Sequence, residues 1–177
     1  SCLAALTLAL EQLSGVSHDW DVFAVATVQE EIGVKGAVAA TYGIAPDLGI
    51  ALDVSFGKQP GVPGTETTPL DEGPVITIGP NFHPVLAERL KEVAKKHEIP
   101  HRIQPSPSHM GTDAWAIQIT REGVPTGLVC VPLRYMHQPV ETLSVRDVER
   151  AGRLLASFIA GLELDFLDEL RWGQDKS

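Results

Sequence analysis

Apolar residues along this chain fall into short runs and helical stripes, which alternate and are separated by stretches rich in glycine and proline. Runs bounded by polar positions are typical of buried strands, and apolar residues three or four apart are typical of helices. The pattern predicts strands at about 20–29, 48–54, 75–78, 101–104 and 127–131, and helices at about 34–43 and 112–120. Such alternation indicates an α/β domain, with the strongly apolar run at 127–131 as its central strand.

Apolar stripes predict three further helices. One opens the chain on leucines at helical spacing: Leu3, Leu6, Leu10 and Leu13. A second begins after Asn81, which is placed to cap it, and has Pro84 in its first turn. The last helix begins at Ser144, with Asp147 three residues later in the manner of a capping box.

The composition suits one folded domain with neither a nucleic-acid nor a membrane partner. The chain has 177 residues, about the length of one domain, and 44% of them are hydrophobic. Its formal charge of −9, from 14 basic and 23 acidic residues, offers no basic surface to nucleic acid or to an anionic membrane. No apolar stretch approaches the roughly 20 residues of a membrane span. Cys2 and Cys130 are too few for a disulfide framework, so we expect a protein of the reducing cytoplasm.

Acidic side chains follow two of the predicted strands at the point where each strand ends. Glu30 and Glu31 end the first apolar run, and Asp53 ends the second. In open α/β sheets, ligands bind at the carboxyl ends of the strands. His137 follows the apolar segment of the last strand, and Asp, Glu and His together are ligands for zinc or for a harder divalent metal. The sequence therefore predicts a metallohydrolase.

The two adjacent glutamates impose a condition on the local backbone. Neighbouring residues on a strand point to opposite faces of the sheet. Glu30 and Glu31 can therefore share one site only if the strand has already ended before them. Gly33 lies just beyond them and favours a turn. We expect the two carboxylates to meet in such a turn.

Four segments, taken together and in this order, resemble one enzyme family. Residues 26–37 read ATVQEEIGVKGA and residues 51–54 read ALDV. Residues 111–114 read GTDA and residues 134–141 read RYMHQPVE. They resemble the TVQEE signature, the metal-binding aspartate segment, the G-T-D-A loop and the R-Y-M/I-H ligand segment of the glutamyl-aminopeptidase-like, or tetrahedral, aminopeptidases. Some members of that family carry the name endoglucanase or cellulase M, and the similarity extends through essentially the whole chain.

The resemblance implies a fold, a reaction and roles for four residues. It implies a three-layer α/β/α fold with a mixed, largely parallel sheet, and an enzyme that removes N-terminal residues from peptides with two divalent metal ions. Zinc is expected first, with cobalt or manganese as alternatives. Glu30 resembles the family's general base, which accepts a proton from the metal-activated water. Glu31 and His137 resemble ligands of one metal, and Asp53 resembles a ligand of the other.

The same resemblance implies that residues 1–177 are a single catalytic-type domain and the C-terminal part of a longer catalytic domain. The family has two further metal ligands upstream, in an H-x-D segment and an L-D-D-R segment, and this chain contains neither segment. The family also has an inserted β-rich domain that helps to build oligomers. We therefore expect an N-terminally truncated fragment, and a homo-oligomer for the full-length protein.

Two other interpretations stay open. A truncated or degenerate domain without two of the ligands would fold and catalyse nothing. A glycosidase is the weaker alternative, because its two carboxyl groups stand about 5–10 Å apart across a sugar ring, and neither Asp53 nor His137 would have a role. His109, two residues before the G-T-D-A loop, is a candidate for the rim of the active site. We expect three other histidines to be exposed at the surface: His83, His97 and His101.

Overall fold

The computed structural model describes residues 1–64, 67–108 and 111–171. Its helices are α1 (Cys2–Leu13), α2 (Lys35–Ile44), α3 (Pro84–Lys96), α4 (Asp113–Gln118), α5 (Val145–Ala160) and α6 (Phe166–Glu169). Its strands are β1 (Gly49–Phe56), β2 (Val75–Ile78), β3 (Arg102–Pro105), β4 (Thr126–Arg134) and β5 (Thr142–Leu143). None of the helices in the described ranges has the length and apolar character that crossing a membrane requires.

The strands form one sheet with the order β1-β4-β2-β3, and β5 pairs with β4. β1 and β4 are parallel over eight residue pairs, and β2 and β3 are parallel over four. The antiparallel pairings of β4 with β2 and with β5 cover two residue pairs each. The sheet is therefore mixed and largely parallel, as predicted, and the apolar run at 127–131 lies in its central strand.

Helices cover both faces of the sheet. Alternate residues of β4 point to opposite faces, and Val129 lies in one core cluster with residues of α1, α3 and α5. Leu128 and Cys130 lie in a second cluster with Ala114 of α4. α2 packs against α4 through Ala37. This is the three-layer α/β/α arrangement that the sequence predicts.

The strand predicted at about 20–29 is not formed, so this prediction is wrong. Residues 21–27 have no regular secondary structure, and residues 21–26 are all exposed. A strand needs a neighbour that takes its backbone hydrogen bonds. Among the described strands, β1 ends the sheet on this side and pairs with β4 alone. The apolar pattern showed a tendency towards burial, but it could not show whether a neighbouring strand is present.

A cavity of about 890 Å³ separates residues 19–27 from β1, and we call it the edge groove. Its lining includes all four leucines of the stripe in α1: Leu3, Leu6, Leu10 and Leu13. α1 packs against α5 through smaller residues instead, because Ala5 and Ala9 are buried and a Cβ on Gly152 would lie 2.8 Å from the carbonyl oxygen of Ala5. The helix is formed as predicted, and all four leucines of its stripe line the edge groove.

The start of α3 differs from the predicted one. His83 rather than Asn81 is the N-cap residue, and Pro84 occupies the first turn as predicted. Asn81 Nδ2 donates instead to the carbonyl oxygen of Ser108. His83 was expected at the surface, but it is only 8% exposed and its Nε2 lies 3.1 Å from the carbonyl oxygen of Leu170. Burial lowers the pKa of His83.

The start of α5 anchors the long connection between β1 and β2. Ser144 is its N-cap residue, but the hydroxyl donates to Asp71 Oδ1 rather than closing a capping box. Asp147 is fully buried and accepts the backbone N–H groups of Asp71 and Gly73, at 2.6 and 2.8 Å. Arg150 contacts both carboxylates. Buried N–H groups need acceptors. The carboxylate of Asp147 therefore attaches the connection between β1 and β2 to α5.

Candidate active site and metal centre

The predicted site residues lie around the carboxyl end of the parallel pair β1 and β4. Asp53 is in the second half of β1, and His137 follows β4. Because β1 and β4 are parallel, their carboxyl ends meet at one edge of the sheet. The segment before α2 reaches the same place, where His137 Nδ1 lies 3.6 Å from Glu31 Oε1. The structure therefore brings together residues that are distant in the sequence.

A turn at residues 30–34 positions the two glutamates. The carbonyl oxygen of Glu30 accepts the N–H groups of Gly33 and Val34, at 3.2 and 3.0 Å. Gly33 has a φ of 106°, which residues with a side chain rarely adopt. The turn expected from Gly33 is formed. Glu30 and Glu31 therefore lie in a turn and not in a strand, which is the condition for both carboxylates to share one site.

Gly36 holds the segment before this turn against the start of α2. Its N–H donates to the carbonyl oxygen of Val28 at 2.9 Å. A Cβ on Gly36 would lie 2.4 Å from both the nitrogen and the oxygen of Val28. Gly43, in the same helix, has no atom within 4 Å of such a Cβ. Close backbone approach therefore requires glycine at position 36 and not at position 43.

Left-handed backbone conformations occur in both loops that carry the predicted site residues. Gln29 has a φ of 59° and Val34 of 48°, and Tyr135 and His137 have values of 64° and 60°. This region is unfavourable for a residue with a side chain, and most of all for a β-branched residue such as Val34. Strained backbone persists where surrounding bonds hold it, often at functional sites. Positive φ also occurs at Ala45 and Glu98, outside these loops, so the conformation by itself does not mark a site.

The loop of His137 is held from two sides. The N–H of Tyr135 donates to Gln59 Oε1 at 2.6 Å, from the connection that follows β1. The N–H of His137 donates to Glu141 Oε1 at 2.9 Å, within its own loop. The exposed imidazole therefore sits on a backbone that its neighbours fix. Glu141 is the last residue of the RYMHQPVE segment, which gives it a structural role in the motif.

Burial raises the pKa of Glu30 to about 7. After desolvation, the next causes are three negative charges: Asp53, Glu31 and Asp113. The charge of His137 acts in the opposite direction. Since charges interact strongly only at short range in partly screened surroundings, these groups belong to one acidic cleft.

Asp53 is the more buried of the two perturbed acids. Desolvation, together with the charges of Asp113 and Glu31, raises its pKa to about 6, while the bond from the Val54 N–H opposes this rise. That bond runs from the Val54 nitrogen to Asp53 Oδ1 and is 2.7 Å long. The Asp53 carboxylate is therefore partly engaged by the backbone of its own strand.

Asp113 shares the cleft, although it is not among the site residues predicted from the sequence. Its Oδ2 accepts the hydroxyl of Thr27 at 2.5 Å. Its Oδ1 is buried and has no hydrogen-bond partner among the described residues. A buried oxygen without a partner is costly, so a ligand or water is expected to reach it. The GTDA segment contains Asp113 and was the signal that could have identified it.

The carboxylates and the imidazole of the cleft are suitable ligands for a divalent metal ion, but they do not form a complete metal site. Carboxylates and imidazole bind zinc, cobalt and manganese, and a cation would relieve the repulsion among the acids. Within residues 1–64, 67–108 and 111–171, no three His, Cys, Asp or Glu side chains are grouped closely enough to hold a metal ion. His109, the candidate for the rim, lies outside the described residues.

Comparison with known sequences finds aminopeptidases, as the four sequence segments predict. A family model described as M42 glutamyl aminopeptidase matches residues 1–154. A lysyl aminopeptidase from Pyrococcus furiosus is 46% identical over 166 residues, which cover 93% of this chain and 47% of that protein. The chain spans about half the length of the curated relatives that it matches.

Solved structures agree with the sequence comparison. An aminopeptidase from the archaeon Desulfurococcus kamchatkensis matches with a TM-score of 0.85 at 37% identity, over 95% of this chain and 49% of that one. A TET aminopeptidase from a Thaumarchaeota archaeon of marine sediment gives 0.88 at 30% identity, over 94% and 48%. PhTET1-12s, solved with a dodecamer in the asymmetric unit, gives 0.75 at 29% identity, over 90% and 48%. This chain belongs to the M42 glutamyl aminopeptidase family.

Proposed function

We propose that this chain is the catalytic-type part of a longer metal-dependent aminopeptidase, which removes N-terminal residues from peptides. Membership of an aminopeptidase family supports the reaction. The observation that carries the proposal is geometric: the loops of Glu31 and His137 meet at the carboxyl end of β1 and β4, where His137 Nδ1 lies 3.6 Å from Glu31 Oε1. The raised pKa of Glu30 in the same cleft supports it, because a general base must accept and release a proton near neutral pH.

The metal ligands we propose are Glu31 and His137 for one divalent ion and Asp53 for a second, with zinc as the first choice and cobalt or manganese as alternatives. Such ions, when bound, polarise a peptide carbonyl and lower the pKa of water. Glu30 binds neither metal ion and acts as the general base, which takes a proton from water and passes it to the leaving amine. The negative cleft attracts the cationic N-terminus of a peptide.

The substrate, the assembly and the compartment are part of the same proposal. The relative at 46% identity is named a lysyl aminopeptidase, whereas the family description names glutamyl. Substrates with either residue at the N-terminus therefore belong in the first assay. The dodecamer of PhTET1-12s supports a homo-oligomer for the full-length protein. The cytoplasm remains our prediction for its compartment.

One observation favours the second candidate, in which this chain alone catalyses nothing. The described residues do not group three metal ligands, and the chain covers 47% of the length of its lysyl aminopeptidase relative. On this alternative, the chain folds and requires further polypeptide for activity.

The proposal is tested with p-nitroanilides of lysine and glutamate and added zinc, cobalt or manganese, with cellulose oligomers assayed in parallel. We expect the full-length protein to hydrolyse the anilides and to leave the cellulose oligomers intact. Glu30→Gln should lower kcat by on the order of 10² or more, because it removes the general base. The metal content should stay the same.

Glu122→Gln, which removes an acid outside the cleft, is the matched control for the loss of one charge. An unchanged kcat in Glu30→Gln would refute the role of this residue. Turnover of cellulose oligomers would favour the glycosidase. Correct folding of residues 1–177 without any turnover would support the inert alternative for this chain by itself.

A further inference from the structure

The hydrogen-bond ladder between β1 and β4 extends one residue beyond β1 and then changes its acceptor. Gly57 N–H donates to the carbonyl oxygen of Leu133 at 2.6 Å. The regular spacing of a parallel ladder then assigns the carbonyl oxygen of Gly57 to the N–H of Tyr135. In the structure, Tyr135 N–H donates to Gln59 Oε1 instead, at 2.6 Å. A side-chain carbonyl therefore takes the place of the next main-chain acceptor.

β4 leaves the sheet at the residue whose ladder bond is replaced. Tyr135 has a φ of 64°, whereas a strand requires a strongly negative φ. The chain turns there, and the N–H of Gln138 donates to the carbonyl oxygen of Tyr135 at 2.9 Å. His137 lies inside this turn, with its Nδ1 3.6 Å from Glu31 Oε1. The turn after β4 is therefore what brings the imidazole to Glu31.

The backbone before Gln59 is fixed from two sides. A Cβ on Gly57 would lie 2.9 Å from both the carbonyl carbon and the carbonyl oxygen of Leu133, so this residue is pressed against β4. On the other side, Lys58 N–H donates to the carbonyl oxygen of the buried Thr68 at 2.9 Å. Gln59 itself is half-buried. Its amide is thus an acceptor that is in place before any ligand binds.

The chemical type of this acceptor also suits its position. Several acids already share the cleft: Glu30, Glu31, Asp53 and Asp113. A glutamine provides a carbonyl oxygen without a further negative charge. Gln59 can therefore hold the loop of His137 without adding to the repulsion among these acids.

We propose that Gln59 is a positioning residue for His137, because its side-chain carbonyl replaces that of Gly57 and so ends β4 at Tyr135. Gln59 contacts neither peptide nor metal ion and acts through the backbone of the turn. Without its oxygen, Tyr135 N–H turns back to the ladder or to water, and the imidazole loses its place beside Glu31. The service of this position to a divalent ion rests on the proposed function, whereas the control of the turn does not.

The control of the turn is tested by amide hydrogen exchange in the metal-free full-length protein. Gln59→Met removes the oxygen and nearly keeps the length of the side chain. We expect exchange at Gln138 at least about tenfold faster, because its bond to Tyr135 opens when the turn is released. Fully buried Val129 in β4 is the internal reference and should not change. Gln104→Met, at a half-buried glutamine in β3, is the matched control and should change neither position.

A conservative variant separates the oxygen from the space that the side chain fills. Gln59→Glu keeps an acceptor for Tyr135 N–H, so exchange at Gln138 should stay within about threefold of the wild type. A role in packing alone would not distinguish methionine from glutamate in this way.

Three results would overturn the control of the turn. One is unchanged exchange at Gln138 in folded Gln59→Met. Another is an equal acceleration at Gln138 and Val129, which would mean a general loss of stability. The third is a Gln59→Glu variant that exchanges as fast as Gln59→Met.

The consequence for the site is tested by titration calorimetry with zinc on the full-length protein. Gln59→Met should bind zinc about tenfold more weakly, as expected when the support of a ligand is lost. Gln104→Met should bind it unchanged, and Gln59→Glu at least as tightly as the wild type. Equal affinities of Gln59→Met and the wild type would overturn the positioning of His137. If the wild type binds no zinc, the proposed metal function fails, and exchange at Gln138 still decides the role of Gln59.

Discussion

β4 and β1 pair along eight residues, yet their surroundings differ. In β4 every residue from Thr126 to Leu133 is buried, and strands lie on both of its edges. In β1 only Ala51 and Ser55 are buried, and its outer edge faces the edge groove. The central strand holds the fold together, whereas the edge strand carries Asp53. The comparison shows that Asp53 lies on a strand that is less enclosed than its parallel neighbour β4.

The largest expected effect is the loss of stability after truncation in the central strand. Leu128→Ala should lower the free energy of unfolding by about 2–5 kcal/mol, the usual cost of a cavity in a packed core. Leu52→Ala in β1 removes the same atoms from a half-buried position and should cost less than half as much. Urea unfolding of both variants measures the difference. Equal losses would mean that β1 is as enclosed as β4.

Gly36 tests how the segment beside the edge strand is held. Gly36→Ala should destabilise the fold by about 1–3 kcal/mol, because the new methyl group would meet the backbone of Val28. Gly43→Ala should instead stabilise it by up to about 1 kcal/mol, since alanine favours a helix and this position is open. Thermal unfolding gives the sign of each change. Effects of the same sign would contradict the close approach.

The next effect concerns metal affinity and separates the site from the core. His137→Ala and Glu31→Ala should each weaken zinc binding by the full-length protein about tenfold or more, because even the partners of metal ligands contribute that much. His101→Ala serves as the control. It removes a half-buried ring whose Nδ1 lies 3.0 Å from the carbonyl oxygen of Ile99. Elemental analysis after dialysis gives the metal content. An unchanged content would remove both residues from the ligand list.

The smallest expected effect is a pH dependence of stability that originates at the edge strand. The pKa values of Glu30 and Asp53 are raised to about 7 and about 6 in the folded protein. The folded state therefore binds more protons than the unfolded state between about pH 4 and pH 7, and stability falls as the pH rises through this window. Below it both states are protonated, and above it both are ionised.

Glu30→Gln removes part of this penalty in metal-free protein. It should raise Tm at pH 8 on the order of 2 °C, a modest gain because Glu30 is partly exposed, and the gain should shrink towards pH 5. Scanning calorimetry at both pH values measures it, with Glu122→Gln as the control for one lost charge. A gain that is larger at pH 5 would reverse the sign that we assign.

Much of the fold was predictable because its elements are built from local patterns. The apolar run at 127–131 predicted β4, and the run at 75–78 predicted β2 with its observed bounds. The run at 20–29 had the same character, but no strand formed there. The difference lies outside the run, because a strand exists only when another strand accepts its hydrogen bonds. Asn81 failed as a cap for a similar reason, since Ser108 and Gln118 bind its side chain.

The sequence named candidate residues for the site but could not give their geometry. The motif letters named Glu30, Glu31, Asp53 and His137, and the mutual electrostatics of the cleft support the grouping. Pattern alone could not decide whether Asp113 is an acid at a helix start or a member of the site, because its buried oxygen is visible only when the segments meet. Nor could it show that the Val54 N–H engages Asp53, since this depends on which edge of β1 is open.

By itself, the sequence determined the features that depend on neighbours along the chain: the turn at residues 30–34, where Gly33 permits a positive φ, the alternation of strands and helices, and the apolar face of α5. Tertiary structure alone decided which edges are paired, which acids share a cleft and where an apolar face is left uncovered. The physical reason is that hydrogen bonding, desolvation and charge repulsion act between groups that are close in space, whatever their separation in the chain.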